Sequence, residues 1–209
     1  MFKIIIKNFY RILKDHRFYL FIIIFYELVY FLKGYKGFTF NFSTNSEMSD
    51  NIPCPFYFLK KIKKNLQKEK FKKFLDLGCG SGRVIDFFNK NFNENKSFLG
   101  IEYFDIQYEI CKKNFINQDN IKIIKSNFNN SSIFKNDFDC CFLNAPFKKN
   151  EDFLDFMSLM QSYCLNKRVL FITVNIDKNI VEKINNIEFI ENFFIGNNKG
   201  FSIFYLNAN

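Results

Sequence analysis

The stretch Phe74-Leu75-Asp76-Leu77-Gly78-Cys79-Gly80-Ser81-Gly82-Arg83-Val84 decides how this chain reads. An apolar run ends in an acid, and three glycines follow at alternate positions. Val84, Ile85, Phe87 and Phe88 then recur at helical spacing. This is a strand, a tight turn and a helix start. Glycines take dihedrals closed to other residues and leave room for a ligand. The helix N-terminus behind them offers unpaired N–H groups and a partial positive charge. The loop is built to hold a nucleotide-like cofactor.

Outward from the loop, short apolar runs alternate with helical patterns. Ser97 to Glu102, Ile121 to Ser126, Asp139 to Leu143 and Arg168 to Val174 read as strands. Asp105 to Phe115, Glu151 to Cys164 and Asn179 to Ile187 read as helices. Phe189 to Ile195 and Phe201 to Leu206, separated by a Gly196–Gly200 turn, read as a hairpin. The alternation predicts an α/β fold: a doubly wound, mostly parallel Rossmann-like sheet with helices on both faces and an antiparallel C-terminal hairpin. In such sheets ligands lie beyond the carboxyl ends of the strands. Asp76, Glu102, Asn127 and Asn144 all fall at such ends, which a set of unrelated turn residues would explain poorly.

Arg83 stands where the dinucleotide fingerprint requires a small residue, and the third glycine comes one place early. The form Asp-Leu-Gly-Cys-Gly-Ser-Gly resembles instead motif I of the class I S-adenosylmethionine-dependent methyltransferases. The resemblance implies that Asp76, Gly78, Cys79, Gly80 and Gly82 cradle the methionine end of S-adenosylmethionine. Glu102, 26 residues after Asp76, would accept hydrogen bonds from the ribose, with Tyr103 beside it. Asn127 stands where the family has an acid for the adenine amino group, and Phe128 would lie against the ring. Asn144-Ala145-Pro146-Phe147 is similar to the Asp/Asn-Pro-Pro-aromatic motif of amino-group methyltransferases, departing from it at Ala145. By that likeness Asn144, Pro146 and Phe147 form the transfer site: Asn144 orients the acceptor nitrogen and also meets the cofactor, and Phe147 walls the pocket. The segment Ile52 to Tyr57 is similar to the proline-containing stretch before motif I in that group, which makes Tyr57 a further candidate. The implied reaction is N-methylation by in-line displacement. O-methylation of a glycan or small molecule, and a non-catalytic module of the same fold, remain the alternatives. No metal is implied.

Composition constrains the rest. Thirty-two Phe and no Trp, together with abundant Lys, Asn and Ile, match a bias toward codons of A and T. The aromatic content is therefore no argument for a binding surface. The net charge of +9 resides at one end: residues 1–73 carry 15 Lys+Arg against 5 Asp+Glu, and residues 74–209 carry 15 against 16. A neutral body and the lack of a target-recognition domain argue against nucleic acid. The lysines around residues 60–73 read as a solvated helix face or a phosphate-binding one. Six cysteines without a Cys-x-x-Cys pair, and His16 as the only histidine, speak for free thiols in a reducing compartment.

Three regions follow: a helical extension over 1–33, a linker arm over 34–54 and the methyltransferase domain over 55–209. Phe2, Ile5, Phe9, Ile12 and Leu13 repeat on one helical face and Lys3, Lys7, Arg11 and Lys14 on another, the pattern of a basic amphipathic helix. Phe18 to Leu32 is apolar except for Glu27, and is short of the roughly 20 residues a spanning helix needs. Peripheral contact with an anionic membrane, packing on the body or a partner, and a short signal-anchor all fit. The expected setting is the cytoplasm, with the inner face of the cytoplasmic membrane as the place of attachment. The methyl acceptor, whether small molecule, glycan or protein amine, and the oligomeric state have no signature.

Overall fold

The computed structural model describes residues 19–37, 52–92, 95–127, 137–145, 147, 149–164, 167–195 and 199–207. The amphipathic stretch 1–17, the arm over 38–51, Phe128 and Pro146 lie outside the described residues.

The order is α1 (Tyr19–Leu32), α2 (Phe56–Leu66), β1 (Lys73–Leu77), α3 (Arg83–Asn91), β2 (Ser97–Glu102), α4 (Asp105–Asn114) and β3 (Ile121–Lys125). Then come β4 (Cys140–Asn144), α5 (Asn150–Tyr163), β5 (Val169–Val174), α6 (Lys178–Val181), β6 (Ile187–Phe194) and β7 (Gly200–Leu206). The strands form one sheet in the order β3-β2-β1-β4-β5-β7-β6. The first five are parallel; β7 runs antiparallel to β5 and to β6. The chain order reverses between β2-β1 and β4, which opens a crevice at the carboxyl end of β1. The expected architecture is the one observed.

The period-two pattern of the strands builds two cores. Phe74, Cys140, Phe142, Leu170 and Ile172 face α2, α3 and α4. Their neighbours Leu75, Leu77, Cys141, Leu143 and Phe171 face α5 and α6. All six cysteines are free and buried. One helix is much shorter than its pattern suggests. α6 begins with Asp177 accepting from Asn179 N at 2.9 Å and ends at Val181. Asn186 then turns left-handed at φ 55, and Ile187 pairs with Leu206. Sheet pairing captures residues that helix periodicity claimed.

α1 packs on the body through an aromatic seam. Tyr30 stacks on Phe56 at 4.7 Å between ring centroids and meets Phe87 at 5.5 Å, and Tyr26 meets Tyr57 at 5.5 Å. Tyr57 thus belongs to this seam. Each such pair contributes about 0.5–1.5 kcal/mol beyond area burial. The residues read as a linker are also docked where they are described: Lys36 N donates to Asp86 Oδ2 at 2.9 Å and Gly37 is buried. Among the described residues no helix is long and apolar enough to cross a membrane.

Candidate active site

The glycine loop crosses the end of β2, where Ile101 O accepts from both Gly78 N and Cys79 N at 2.9 and 3.0 Å. Gly78, Gly80 and Gly82 all have positive φ. At Gly82 the requirement is steric as well, because a Cβ would lie 2.4 Å from Cε2 of Phe115. A Cβ on Gly78 would meet nothing within 4 Å, so the space over the loop is open there. Cys79 turns its thiol toward Cys111, 3.8 Å away in the core, and offers the loop only its backbone.

Glu102 is buried, and its carboxylate braces the site. Oε2 accepts from Gly80 N at 2.8 Å, and Oε1 accepts from Tyr103 N and Phe104 N at 2.8 and 2.9 Å. Burial pushes its carboxyl up, while those backbone N–H groups pull it back down. Sequence reasoning gave Glu102 to a ligand and missed that it ties the glycine loop to the start of α4. Asp76, at the end of β1, is 2 % exposed, and its Oδ2 has no hydrogen-bond partner among the described residues. Burial first, and then the Glu102 carboxylate, push Asp76 well above the usual carboxylate range.

A cavity with about 330 Å³ of empty space, part of it open to solvent, brings Asp76, Gly78, Gly80 and Asn144 together. Ile52, Pro53 and Cys54 of the arm line its other side. Asn144 ends β4 with its amide held at both ends. Its Nδ2 donates to Ile52 O at 2.6 Å, and its Oδ1 accepts from Asn175 Nδ2 at 3.1 Å. Asn175, just past β5, is a site residue that went unnamed in the sequence, although it occupies the same kind of strand end. Ala145 follows with φ 41, a value proline cannot reach. The Asn-Pro-Pro-aromatic motif could not take this turn, so the departure at Ala145 changes the loop itself. Phe147 does not line the cavity; its ring packs 6.0 and 5.3 Å from Phe153 and Phe156 of α5. Tyr103 and Asn127 are exposed at the ends of the adjacent strands β2 and β3.

Arg83, which excluded the dinucleotide fingerprint, opens α3 and joins the extension to the loop. Its Nε donates to Gly37 O at 2.8 Å. Nη1 donates to Cys54 O at 3.2 Å and pairs with Glu27 Oε2 at 2.8 Å. Glu27 Oε1 in turn accepts from Phe56 N, the first residue of α2, at 3.0 Å. The acid that interrupts the apolar run is therefore a designed partner for a buried cation.

A mostly parallel sheet with a glycine loop and a buried acid at its switch point is an architecture suited to holding a nucleotide-like cofactor. Residues 74–164 match the model of a methyltransferase domain, which is the part of the chain that carries the glycine loop, Glu102 and Asn144. That match supports S-adenosylmethionine as the cofactor and methyl transfer as the reaction class. Solved structures share the fold. A protein from Staphylococcus aureus provisionally described as a caffeoyl-CoA O-methyltransferase superposes with TM-score 0.56 at 16% identity, covering 75% of this chain and 85% of that one. A provisionally described methyltransferase from Escherichia coli gives 0.58 at 13% identity, covering 76% and 88%. A cofactor-bound protein from MTB gives 0.58 at 11% identity, covering 78% and 85%. No curated protein matches the chain. The residues present fit the cofactor: its methionine end carries a cationic ammonium, and Asp76 Oδ2 is a buried oxygen without a partner beside open space.

Proposed function

We propose that this protein methylates an amine or amide nitrogen, with Asn144 orienting the acceptor. S-adenosylmethionine, when bound, supplies an activated sulfonium methyl group, so the protein's task is mainly alignment. Asp76 holds the ammonium of the methionine end, and the backbone of Gly78 and Gly80 admits the cofactor closely. Glu102 receives the ribose hydroxyls at the loop it braces, and Tyr103 and Asn127 flank the adenine. Asn144 presents its amide oxygen to the N–H of the acceptor, and a neutral amine so held needs no strong base. The observation that carries this reading is the double tether of the Asn144 amide, which fixes its orientation within the cavity that Asp76 lines.

The test has two parts. Calorimetry should detect S-adenosylmethionine binding to the full chain, and Asn144→Ala should retain it. Incubating a cell extract with methyl-labelled cofactor and the protein should label an acceptor in the wild type. Asn144→Ala should label it at a rate lower by roughly tenfold or more, the scale of a misplaced reactant. Mass spectrometry then locates the methyl group. A methyl on oxygen overturns the nitrogen reading, and absence of cofactor binding at millimolar concentration overturns the enzyme.

A further inference from the structure

Gly37 approaches Arg83 more closely than a residue with a side chain could. Its φ of 83 lies in the left-handed region, which glycine occupies without penalty. A Cβ there would lie 2.4 Å from Cβ of Arg83 and 2.7 Å from its Cα. Neither atom can swing aside by a rotamer change. The preceding residue fastens the same approach from two directions. Lys36 N donates to Asp86 Oδ2 at 2.9 Å. Its ammonium donates to Asn114 O, and Asn114 Nδ2 donates to Ser81 O of the glycine loop at 3.0 Å.

This fastened segment is part of the cavity. Gly37, Ile52, Pro53 and Cys54 line one side of it, and Asp76, Gly78 and Gly80 line another. The first four precede residues 74–164, the part that matches the methyltransferase domain. Arg83 holds that added wall in place, because its guanidinium donates to Gly37 O and to Cys54 O. The same guanidinium pairs with Glu27 of α1. Glu27 does not line the cavity, yet its second oxygen accepts from Phe56 N, two residues beyond Cys54.

We infer that Arg83 is a positioning residue for the cofactor, coupling the docking of α1 to the wall that encloses the cavity. The inference rests on S-adenosylmethionine occupying this cavity and extends that reading to residues outside the matched domain. Linkage makes the coupling reciprocal. The factor by which docked α1 tightens cofactor binding is the factor by which bound cofactor tightens α1 docking. A helix whose exposed end lies far from the glycine loop in sequence thereby sets the affinity of the loop.

Hydrogen exchange of the full chain, with and without S-adenosylmethionine, tests the coupling. In the wild type, saturating cofactor slows exchange over Tyr19–Leu32 by roughly fivefold or more, the lower end of such couplings. Glu27→Gln, outside the cavity, lowers cofactor affinity by calorimetry roughly fivefold or more and removes most of that protection. Gly37→Ala does the same from the wall itself. Circular dichroism checks that each variant folds, and Glu27→Gln decides should Gly37→Ala fail to fold. Wild-type α1 exchange that bound cofactor leaves unchanged overturns the inference. So does wild-type affinity in Glu27→Gln once its α1 exchange has accelerated, since the pair then serves α1 alone. Both of those outcomes leave the cofactor reading intact. Absence of calorimetric binding to the wild type at millimolar cofactor overturns that reading, and the inference with it.

Discussion

The two sides of the glycine loop treat buried charge in opposite ways. On the α1 side, Arg83 is 4 % exposed and meets a carboxylate and two carbonyl oxygens. Toward the cavity, Asp76 is 2 % exposed and leaves an oxygen without a partner. Burying an ion costs several kcal/mol unless it is paired. Where the cost is offset inside the chain, the charge serves architecture. Where it is left open, the proposed function assigns it to a cation from outside. The same loop thus has an anchored side and a receptive side.

Breaking the anchored side should produce the largest effect. Arg83→Met leaves Glu27 without its cation and Gly37 O and Cys54 O without their donor. Removing one member of a buried pair costs about 3–5 kcal/mol, and the loss should fall on α1 and the arm. Hydrogen exchange of the α1 amides should accelerate by about a hundredfold or more, since each 1.4 kcal/mol is a factor of ten. Glu27→Leu/Arg83→Met should recover much of this, because an apolar replacement of both partners is nearly neutral. If the double variant exchanges as fast as the single one, the pair is not what holds α1.

Asp76→Asn should sharpen the contrast from the receptive side. It removes a charge-assisted contact to the cofactor ammonium, a loss of about 1.5–3 kcal/mol in affinity by calorimetry. It should also stabilise the ligand-free protein, since it deletes an uncompensated buried charge. The sign with pH follows from the raised carboxyl. The folded protein holds this proton above the unfolded value of about 3.9. Stability of the ligand-free fold therefore falls as pH rises from there toward the raised value. Over the same window cofactor affinity rises, because the ammonium selects the carboxylate, and binding releases a proton. Calorimetry in buffers of different ionisation enthalpy should register that proton in the wild type and not in Asp76→Asn.

Arg83 and Asp76 also show what could be read in the sequence. The alternation of strands and helices, the loop, and the acid, Glu102, at the end of β2 are written in local patterns: period-two strands, alternate glycines, polar residues at strand ends. Asp76 and Asn144 were legible for the same reason, as strand-end residues, and they do meet in one cavity. Arg83 and Glu27 are 56 positions apart, and no periodicity links them. Arg83 read only as a misfit and Glu27 only as a flaw in an apolar run. Phe147 failed differently. The motif placed it by analogy, but the left-handed Ala145 starts a turn the analogous motif cannot make, and the ring goes to α5.

Asn175 offers the smallest effect and the finest test of the receptive side. Its Nδ2 fixes the Asn144 amide oxygen, while its own backbone sits at φ 57 with its N–H bonded to Gly200 O at 2.8 Å. Alanine here would confuse two effects, because φ near +57° is strained for a residue with a Cβ that lacks the local bonding of Asn. Glycine accepts that φ without penalty and keeps the bond to Gly200, so Asn175→Gly removes the side-chain contact alone. One neutral hydrogen bond contributes about 1 kcal/mol, which corresponds to about fivefold in rate. Label transfer should slow by that amount with cofactor affinity unchanged, because Asn175 acts through Asn144 and not through Asp76. A parallel fall in affinity would mean that the two halves of the cavity are not independent, and that the amide and the acid serve one ligand together.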